Sequence, residues 1–412
     1  MSFSLCALEE LTEPERPITY GVVKPGPEDP EGGVVFIRGG DIVDGAIVED
    51  GLRTITQEVS APYSRTILRG GELVISLVGN PGAVAVVPGR LAGANLARQA
   101  GLIALRSECH APYFMYYLMS PRGKAELFQR TQGAVQQVIN LADLRKIKVR
   151  VPPFSEQQQI AGVLSAYDDL IENNRRRIAL LEQSARLLYR EWFVHLRFPG
   201  HEHVKVVDAV PAGWGLKTMA EVAETIGGGT PSTAVSAFWD DGDITWFSPT
   251  DLTNNDCLAL LDSGKKITAA GLKNSSAKML PAHTILMSSR ASIGYFGMHD
   301  KSACTNQGFI SLIPLDDRYR YFLLYNLMSR KDEIESKAGG TTYKEINKST
   351  FRAMLITWPN VELAKAFSGF AGDVMSQVRT LKRQNEKLRQ ARDLLLPRLM
   401  SGQIQLNDTS YA

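Results

Sequence analysis

Leu181-Glu-Gln-Ser-Ala-Arg-Leu-Leu188 and Leu388-Arg-Gln-Ala-Arg-Asp-Leu-Leu395 are two versions of one helical stretch, 207 residues apart in a chain of 412. The same offset relates Gly133-Ala-Val-Gln-Gln-Val-Ile-Asn140 to Gly340-Thr-Thr-Tyr-Lys-Glu-Ile-Asn347, Pro152 to Pro359, and Gly162 to Gly369. Further upstream, Glu72-Leu-Val-Ile-Ser76 and Gly82 correspond to Thr284-Ile-Leu-Met-Ser288 and Gly294 at an offset of 212, so the drift implies small loop insertions. Self-similarity over such a length means one structural unit written twice.

Around the first quoted stretch a heptad seam runs through Ile160, Leu164, Tyr167, Ile171, Asn174, Ile178, Leu181, Ala185, Leu188 and Trp192. Its steps alternate four and three residues, the period of a two-stranded coiled coil. Adding the offset gives a second seam at Phe367, Ala371, Val374, Val378, Leu381, Asn385, Leu388, Arg392, Leu395 and Leu399, apolar except at Asn385 and Arg392. Ser155 followed by Glu156-Gln157-Gln158 reads as the first helix's N-cap, and Pro397 should end or kink the second helix. Two duplicated units associate most simply about a pseudo-twofold axis, so the helices are expected antiparallel. Pairing the two core asparagines sets the residue numbers of facing positions to sum to 559. Ile171 then meets Leu388, Ile178 meets Leu381, Leu181 meets Val378, Leu188 meets Ala371, and Tyr167 faces Arg392. A helix of about 38 residues spans roughly 57 Å.

The region before each helix carries short β-type runs, among them Val34–Ile37, Ala83–Val87 and Ile244–Phe247. Leu73–Val78 and Ile285–Ser288 read as buried strands, with tight turns at Asn80-Pro-Gly and Ser292-Ile-Gly. Helices are expected at Tyr113–Met119 and Tyr319–Met328. The fold class is therefore α+β: two tandem domains of mixed α/β structure, joined and separated by two long antiparallel coiled-coil helices in a pseudo-twofold internal repeat. The boundaries read as 1–153 and 198–359 for the domains, 154–197 for the central helix, and 360–412 for the C-terminal helix and tail.

Net charge is only +2, but its distribution is uneven. Residues 1–52 carry 3 Lys/Arg against 11 Asp/Glu, and 53–153 carry 13 against 5. The order recurs, with 2 against 10 in 200–262 and 14 against 7 in 263–360. A basic subregion is the electrostatic footprint of a phosphate-binding face.

Other classes find little support. No apolar run approaches the roughly 20 residues needed to span a bilayer. Met1–Leu11 holds Glu9 and Glu10 and no basic segment, so it does not read as a signal peptide, and a cytoplasmic protein is expected. Cys6, Cys109, Cys257 and Cys304 are scattered and read as free thiols. His201 and His203 lack further ligands and read as linker, so no metal is expected. Gly123-Lys124 and Gly264-Lys265 lack the rest of a phosphate-binding loop, and Gly227-Gly-Gly229 reads as a turn. Asn80-Pro81-Gly82 only superficially resembles the catalytic turn of an amino-methyltransferase. Glu333-Ile-Glu335-Ser-Lys337 resembles the end of a nuclease motif but is better explained by charge alternation along a helix. The chain is expected to catalyse nothing alone.

Over essentially its whole length the sequence resembles the specificity subunits of type I restriction–modification systems. The resemblance rests on Val151-Pro-Pro-Phe-Ser-Glu-Gln-Gln-Gln-Ile160, Ile171-Glu-Asn-Asn-Arg-Arg-Arg-Ile178, Leu394-Leu-Leu-Pro-Arg-Leu-Met-Ser-Gly-Gln-Ile404 and the turn at 340–346. It departs at Ala134-Val135-Gln136, where the family's turn usually carries hydroxyl residues. The resemblance implies that each domain is a target recognition domain reading one half of a split, asymmetric site in double-stranded DNA, with the helices as ruler. It implies two modification subunits docked on the helices, carrying S-adenosylmethionine and methylating adenine, and restriction subunits using ATP and Mg. None of these cofactors is expected on this chain.

Base readout belongs on loops leaving the strands, with phosphate contacts beside them. The candidates are Tyr63, Ser64, Arg65, Asn80, Gln136 and Gln137 in the first domain. In the second they are Ser289, Arg290, Ser292, Thr341, Thr342, Tyr343 and Lys344, with Lys273, Asn274 and Ser275 as secondary choices. Two alternatives stand beside this reading: a self-sufficient methyltransferase or nuclease with diverged motifs, and a coiled-coil adaptor that binds no DNA.

Overall fold

The computed structural model describes residues 4–129, 131–132, 138–340 and 344–406. The chain divides into two compact units, Met1–Leu170 with Leu388–Ala412, and Ile171–Lys387.

In the first unit, Leu73–Ser76 is the strand that organises the core. All four residues are buried, as a continuous apolar run predicts for a strand covered on both faces. Leu73 and Ile75 point into one hydrophobic cluster and Val74 into another, the alternation a pleated strand imposes. It pairs antiparallel with Ala100–Ile103 on one side and Val84–Val86 on the other, and Thr19–Tyr20 completes the sheet. A second sheet places Val34–Ile37 between Arg53–Ile55, antiparallel, and Asn95–Leu96, parallel. Helix Ala111–Met119 buries Tyr113, Tyr116 and Tyr117. Each keeps its hydroxyl satisfied, on the Arg150 carbonyl, the Asp168 carboxylate and the Lys148 carbonyl respectively.

The second unit repeats this plan. Ile285–Ser288 is again fully buried, with Ile285 and Met287 in one cluster and Leu286 in another. It lies between Phe309–Pro314 and Phe296–His299, with Ala223–Gly227 and Ala259–Leu260 at the edges. Ile244–Phe247 sits between Lys265–Ile267, antiparallel, and Cys304–Thr305, parallel. An arginine recurs with the repeat: Arg145 donates to the Ile18 carbonyl at 2.7 Å, and Arg352, 207 positions on, donates to the Thr225 carbonyl at 3.0 Å. Arg352 so ties a short helix to the edge strand of its sheet, and Arg145 does the same one residue before the strand Thr19–Tyr20.

The two long helices are Phe154–Tyr189 and Val361–Ser401. Within the second unit their stretches run antiparallel: Asn174 bonds Asn385, and the Tyr189 ring lies 5.7 Å from that of Phe367. Ile178, Val378, Leu381 and Ala371 are buried in one cluster there, with Leu181 and Leu188 packed against it. Within the first unit Ile160 and Leu164 share a core with Leu396 and Leu399. Arg392 pairs with Asp168, the neighbour of Tyr167.

Two helix-end expectations need correction. The central helix starts at Phe154, so Ser155 falls inside its first turn. Gln157 fixes the entry instead, accepting the His110 N–H at 2.8 Å and donating to the Pro152 carbonyl at 2.9 Å. Pro397 does not end the second helix, which continues to Ser401. The ring leaves the Asp393 carbonyl without its usual donor, and Asp393 is exposed, where solvent can replace it.

Among the described residues no helix is long and apolar enough to cross a membrane.

Candidate nucleic-acid interface

Where Ile285–Ser288 ends, the second unit builds a fixed loop. The Ser288 hydroxyl donates to the Ser292 carbonyl at 2.5 Å and accepts the Tyr295 N–H at 3.0 Å. Ser289 donates its N–H to the Gly308 carbonyl at 2.8 Å and receives the Ile346 N–H at 3.0 Å. Ala291 takes a left-handed backbone with φ +61°, unusual for a residue with a β-carbon, and donates to the Lys344 carbonyl at 3.0 Å. Arg290, 48% exposed, is thus held between two anchors, 3.9 Å from Glu345.

The opposite wall begins after Ile244–Phe247. The Ser248 N–H and hydroxyl both donate to Asp251 at 2.7 Å, closing a tight helix start. Beside it Asn306 donates its N–H to the Phe247 carbonyl at 2.9 Å, and the Thr230 hydroxyl donates to Gln307 Oε1 at 2.5 Å. Together these segments line an open cleft of about 480 Å³ whose polar lining includes Ser248, Thr250, Arg290, Ser292, Asn306 and Gln307.

The first unit has the same backbone scaffold with other side chains. Arg38 takes the place of Ser248, its N–H donating to Asp41 at 2.7 Å. Ala97 bonds the Ile37 carbonyl at 2.9 Å, Leu77 the Gln99 carbonyl at 2.8 Å, and Gly82 the Ser76 carbonyl at 2.8 Å. Gly79 adopts φ +96° where the second unit has Ala291.

The loop candidates from the sequence fare unevenly. Arg290, Ser292 and Lys344 come together at the second-unit loop and are exposed there. Ser289 does not join them: it is 2% exposed and its backbone anchors the loop. Arg290, one residue further on, is exposed. Exposed Lys273 and Asn274 end the helix Ala269–Lys273, with Ser275 half-buried beyond. The chain then returns at Ser276–Ala277 so close to Gly229 that a β-carbon there would lie 2.1 Å from the Ser276 hydroxyl. In the first unit Asn80 is exposed in the turn after Leu73–Ser76, and Ser64 and Arg65 are exposed on the segment Ala61–Thr66. Tyr63 is half-buried against the cluster of Val22, Phe36, Ile55 and Ala97, so it supports the fold. Gln136, Gln137, Thr341, Thr342 and Tyr343 lie outside the described residues.

Other readings of the sequence also change. Gly227–Gly229 is not a turn but a close approach of chain to chain, since a β-carbon on Gly228 would sit 2.1 Å from the Thr305 carbonyl. Part of the basic excess is structural, since Arg150 bonds Glu156 at 3.1 Å and the Met400 carbonyl at 3.0 Å, and in the acidic stretch before it Arg16 is buried against Glu72 at 2.9 Å. The charge alternation expected at residues 333–337 is found, with Glu333 and Glu335 in ion pairs with Arg330, Lys331 and Lys337 on and beside the helix Lys331–Ser336. Ser248, Thr250, Asn306 and Gln307 were not expected at the cleft. A signal for the last two exists: Asn95-Leu-Ala-Arg98 aligns with Cys304-Thr-Asn-Gln307 within the drift of offset, at a turn between strands.

A larger cleft, about 740 Å³, is lined by Arg186, Tyr189, Arg190, Tyr325 and Lys331. Two of its cations are already engaged, Arg186 by Glu182 and Lys331 by Glu335 and the Tyr295 ring.

The chain is thus a duplicated α+β protein that presents the same anchored loop scaffold on each copy. The chain belongs to the type I restriction modification DNA specificity family, whose domain it matches twice, at residues 24–183 and 211–388. It is 31% identical over 185 residues to the type I restriction enzyme MjaIX specificity subunit of Methanocaldococcus jannaschii, covering 44% of this chain and 42% of that one. It is 24% identical over 437 residues to the HindI specificity subunit of Haemophilus influenzae, covering 90% and 94%. In fold it is similar to the type I restriction-modification S subunit from M. genitalium, with a TM-score of 0.60 at 17% identity, covering 97% and 96%.

Proposed function

We propose that this chain is the DNA-recognition subunit of a type I restriction–modification complex and binds an asymmetric, two-part site in double-stranded DNA. Each unit reads one half-site through the loops at the end of its central strand. The long helices set the gap between half-sites and dock two modification subunits. Adenine methylation with S-adenosylmethionine, and ATP- and Mg-dependent restriction, belong to those partner subunits, and this chain is non-catalytic by itself.

One observation carries the reading: the same hydrogen-bonded loop scaffold is built twice and dressed with different exposed side chains. Equal scaffolds position two readers alike, and unlike side chains give them unlike targets. The test is to co-express the chain with its modification subunit and map methylated adenines. A motif of two unlike halves at fixed spacing is expected. Duplex binding at two salt concentrations then separates phosphate contacts, which weaken steeply with salt, from base contacts. Cofactor binding and methylation by the isolated chain would favour the self-sufficient enzyme, and no DNA binding in any combination would favour the adaptor.

A further inference from the structure

One turn position differs between the copies in a way that suits base recognition. It lies between Asn95–Leu96 and Ala100–Ile103 in the first unit and between Cys304–Thr305 and Phe309–Pro314 in the second. Hydrogen bonds fix the equivalence. The residue before it bonds the preceding strand, Ala97 to Ile37 and Asn306 to Phe247, both at 2.9 Å. The residue after it accepts from the central strand's end, Gln99 from Leu77 and Gly308 from Ser289, both at 2.8 Å. The residue between is therefore held from both sides while its side chain is exposed: Arg98 in one unit, Gln307 in the other.

Their surroundings differ too. Among the described residues the Arg98 side chain has no hydrogen-bond or ion-pair partner. Gln307 lines the cleft with Arg290 and Ser292, and the Thr230 hydroxyl holds its Oε1. That bond orients the amide, and among the described residues Nε2 has no acceptor and one Oε1 lone pair is open. A guanidinium fork matches the N7 and O6 acceptors of guanine. A carboxamide matches the N7 acceptor and N6 donor of adenine.

We propose that Arg98 and Gln307 are specificity-determining residues, Arg98 reading a guanine in one half-site and Gln307 an adenine in the other. This rests on the DNA-recognition reading above and assigns two residues within it.

The test uses the full chain with its modification subunits, unaltered and as Arg98→Gln, Gln307→Arg, Arg98→Ala and Gln307→Ala, each checked by thermal melting. Methylated motifs are mapped, and binding is measured on duplexes differing at single positions. Each substitution is expected to relax or exchange one base in one half-site, leaving the other half-site intact, with discrimination at that base falling about 10- to 100-fold. Motifs unchanged in all four variants would overturn the proposal. So would binding weakened equally on every duplex, the behaviour of a phosphate contact. If the unaltered chain yields no two-part motif, the DNA-recognition reading itself has failed, a result distinct from either of these.

Discussion

Asn174 and Asn385 meet inside the helix pair, the Asn174 amide donating to Asn385 Oδ1 at 2.9 Å while Asn385 Nδ2 donates to the Ile171 carbonyl at 3.2 Å. They are 7% and 2% exposed, so neither amide has water to fall back on. Replacing one by Ala strands the other, at a cost of about 1–3 kcal/mol. Replacing both by Leu removes the unmet groups and is expected to be near neutral for stability while releasing the constraint on register. Urea denaturation of the single and double variants checks this. Single variants as stable as the unaltered chain would show that the pair carries no weight.

That register was legible in the sequence because a seam is a periodic pattern along one stretch, and two polar breaks in it can only be matched in a few ways. The doubly covered strands were legible for a similar reason, as short unbroken apolar runs at Leu73 and Ile285. The loop scaffold was not. Its bonds join Ser289 to Gly308, Asn306 to Phe247 and Thr230 to Gln307, segments between 19 and 77 positions apart, and no local pattern announces them. Ser289 and Arg290 are adjacent in sequence and identical in polar promise. Only the tertiary fold, which ties the Ser289 backbone to Gly308 and Ile346, decides that one is buried and the other exposed. Arg16 counts as a surface charge in composition, but it lies in the core because Glu72 is there to meet it.

Asp168 joins two partners in the first unit: the Tyr116 hydroxyl donates to one carboxylate oxygen at 2.6 Å, and Arg392 pairs with the other. Burial and this carboxylate together hold the Tyr116 hydroxyl well above its ordinary titration range. Asp168→Ala leaves the buried Tyr116 hydroxyl without its acceptor and takes from Arg392 one of its two carboxylate partners, Asp393 at 2.9 Å remaining, and about 1–3 kcal/mol of stability should be lost. In a double-mutant cycle with Arg392→Ala the losses should be clearly less than additive. Strict additivity would mean the two residues do not interact in solution.

Glu182 is buried, receives the Leu258 N–H and pairs with Arg186 at 3.2 Å. Burial raises its carboxyl above the ordinary value of 4.5, against the opposing pull of the Leu258 N–H and Arg186. The folded state therefore holds this proton more tightly than the unfolded chain. That contribution is complete below 4.5 and is lost as pH rises through the raised value. Glu182→Gln keeps an acceptor for Leu258 and never ionises. Its stability relative to the unaltered chain should thus rise between pH 4 and pH 8, as read by melts across that range. A relative stability that falls with pH would reverse the sign assigned to Glu182.

Burial pushes the thiols of Cys109, Cys257 and Cys304 up to about 11. Only about one in a thousand of each is thiolate at pH 8, and the thiolate is the nucleophile. Half-buried Cys6 should therefore be alkylated first by iodoacetamide in the folded protein, with the other three following only on denaturation. Peptide mass spectrometry resolves the order. Early labelling of Cys304 would mean that the strand beneath the Gln307 turn opens in the native state.

Gly21 and Gly228 occupy the same place in the two units, where an edge segment crosses the strand that leads into the Arg98 or Gln307 turn. A β-carbon would lie 1.8 Å from the Leu96 carbonyl oxygen at Gly21 and 2.1 Å from that of Thr305 at Gly228. Neither neighbour is a flexible side-chain end, so the backbone itself has to move. The adjacent anchors, Val22 N–H to the Leu96 carbonyl at 2.7 Å and Gly229 N–H to the Thr305 carbonyl at 2.9 Å, would be strained or broken. Gly21→Ala and Gly228→Ala should each cost about 1–3 kcal/mol as overpacking does, and each should raise amide exchange at its own turn, around Arg98 or around Gln307. Because the two turns belong to separate units, each substitution should leave exchange at the other turn unchanged. Equal exchange increases at both turns from one substitution would show that the copies do not behave as independent readers.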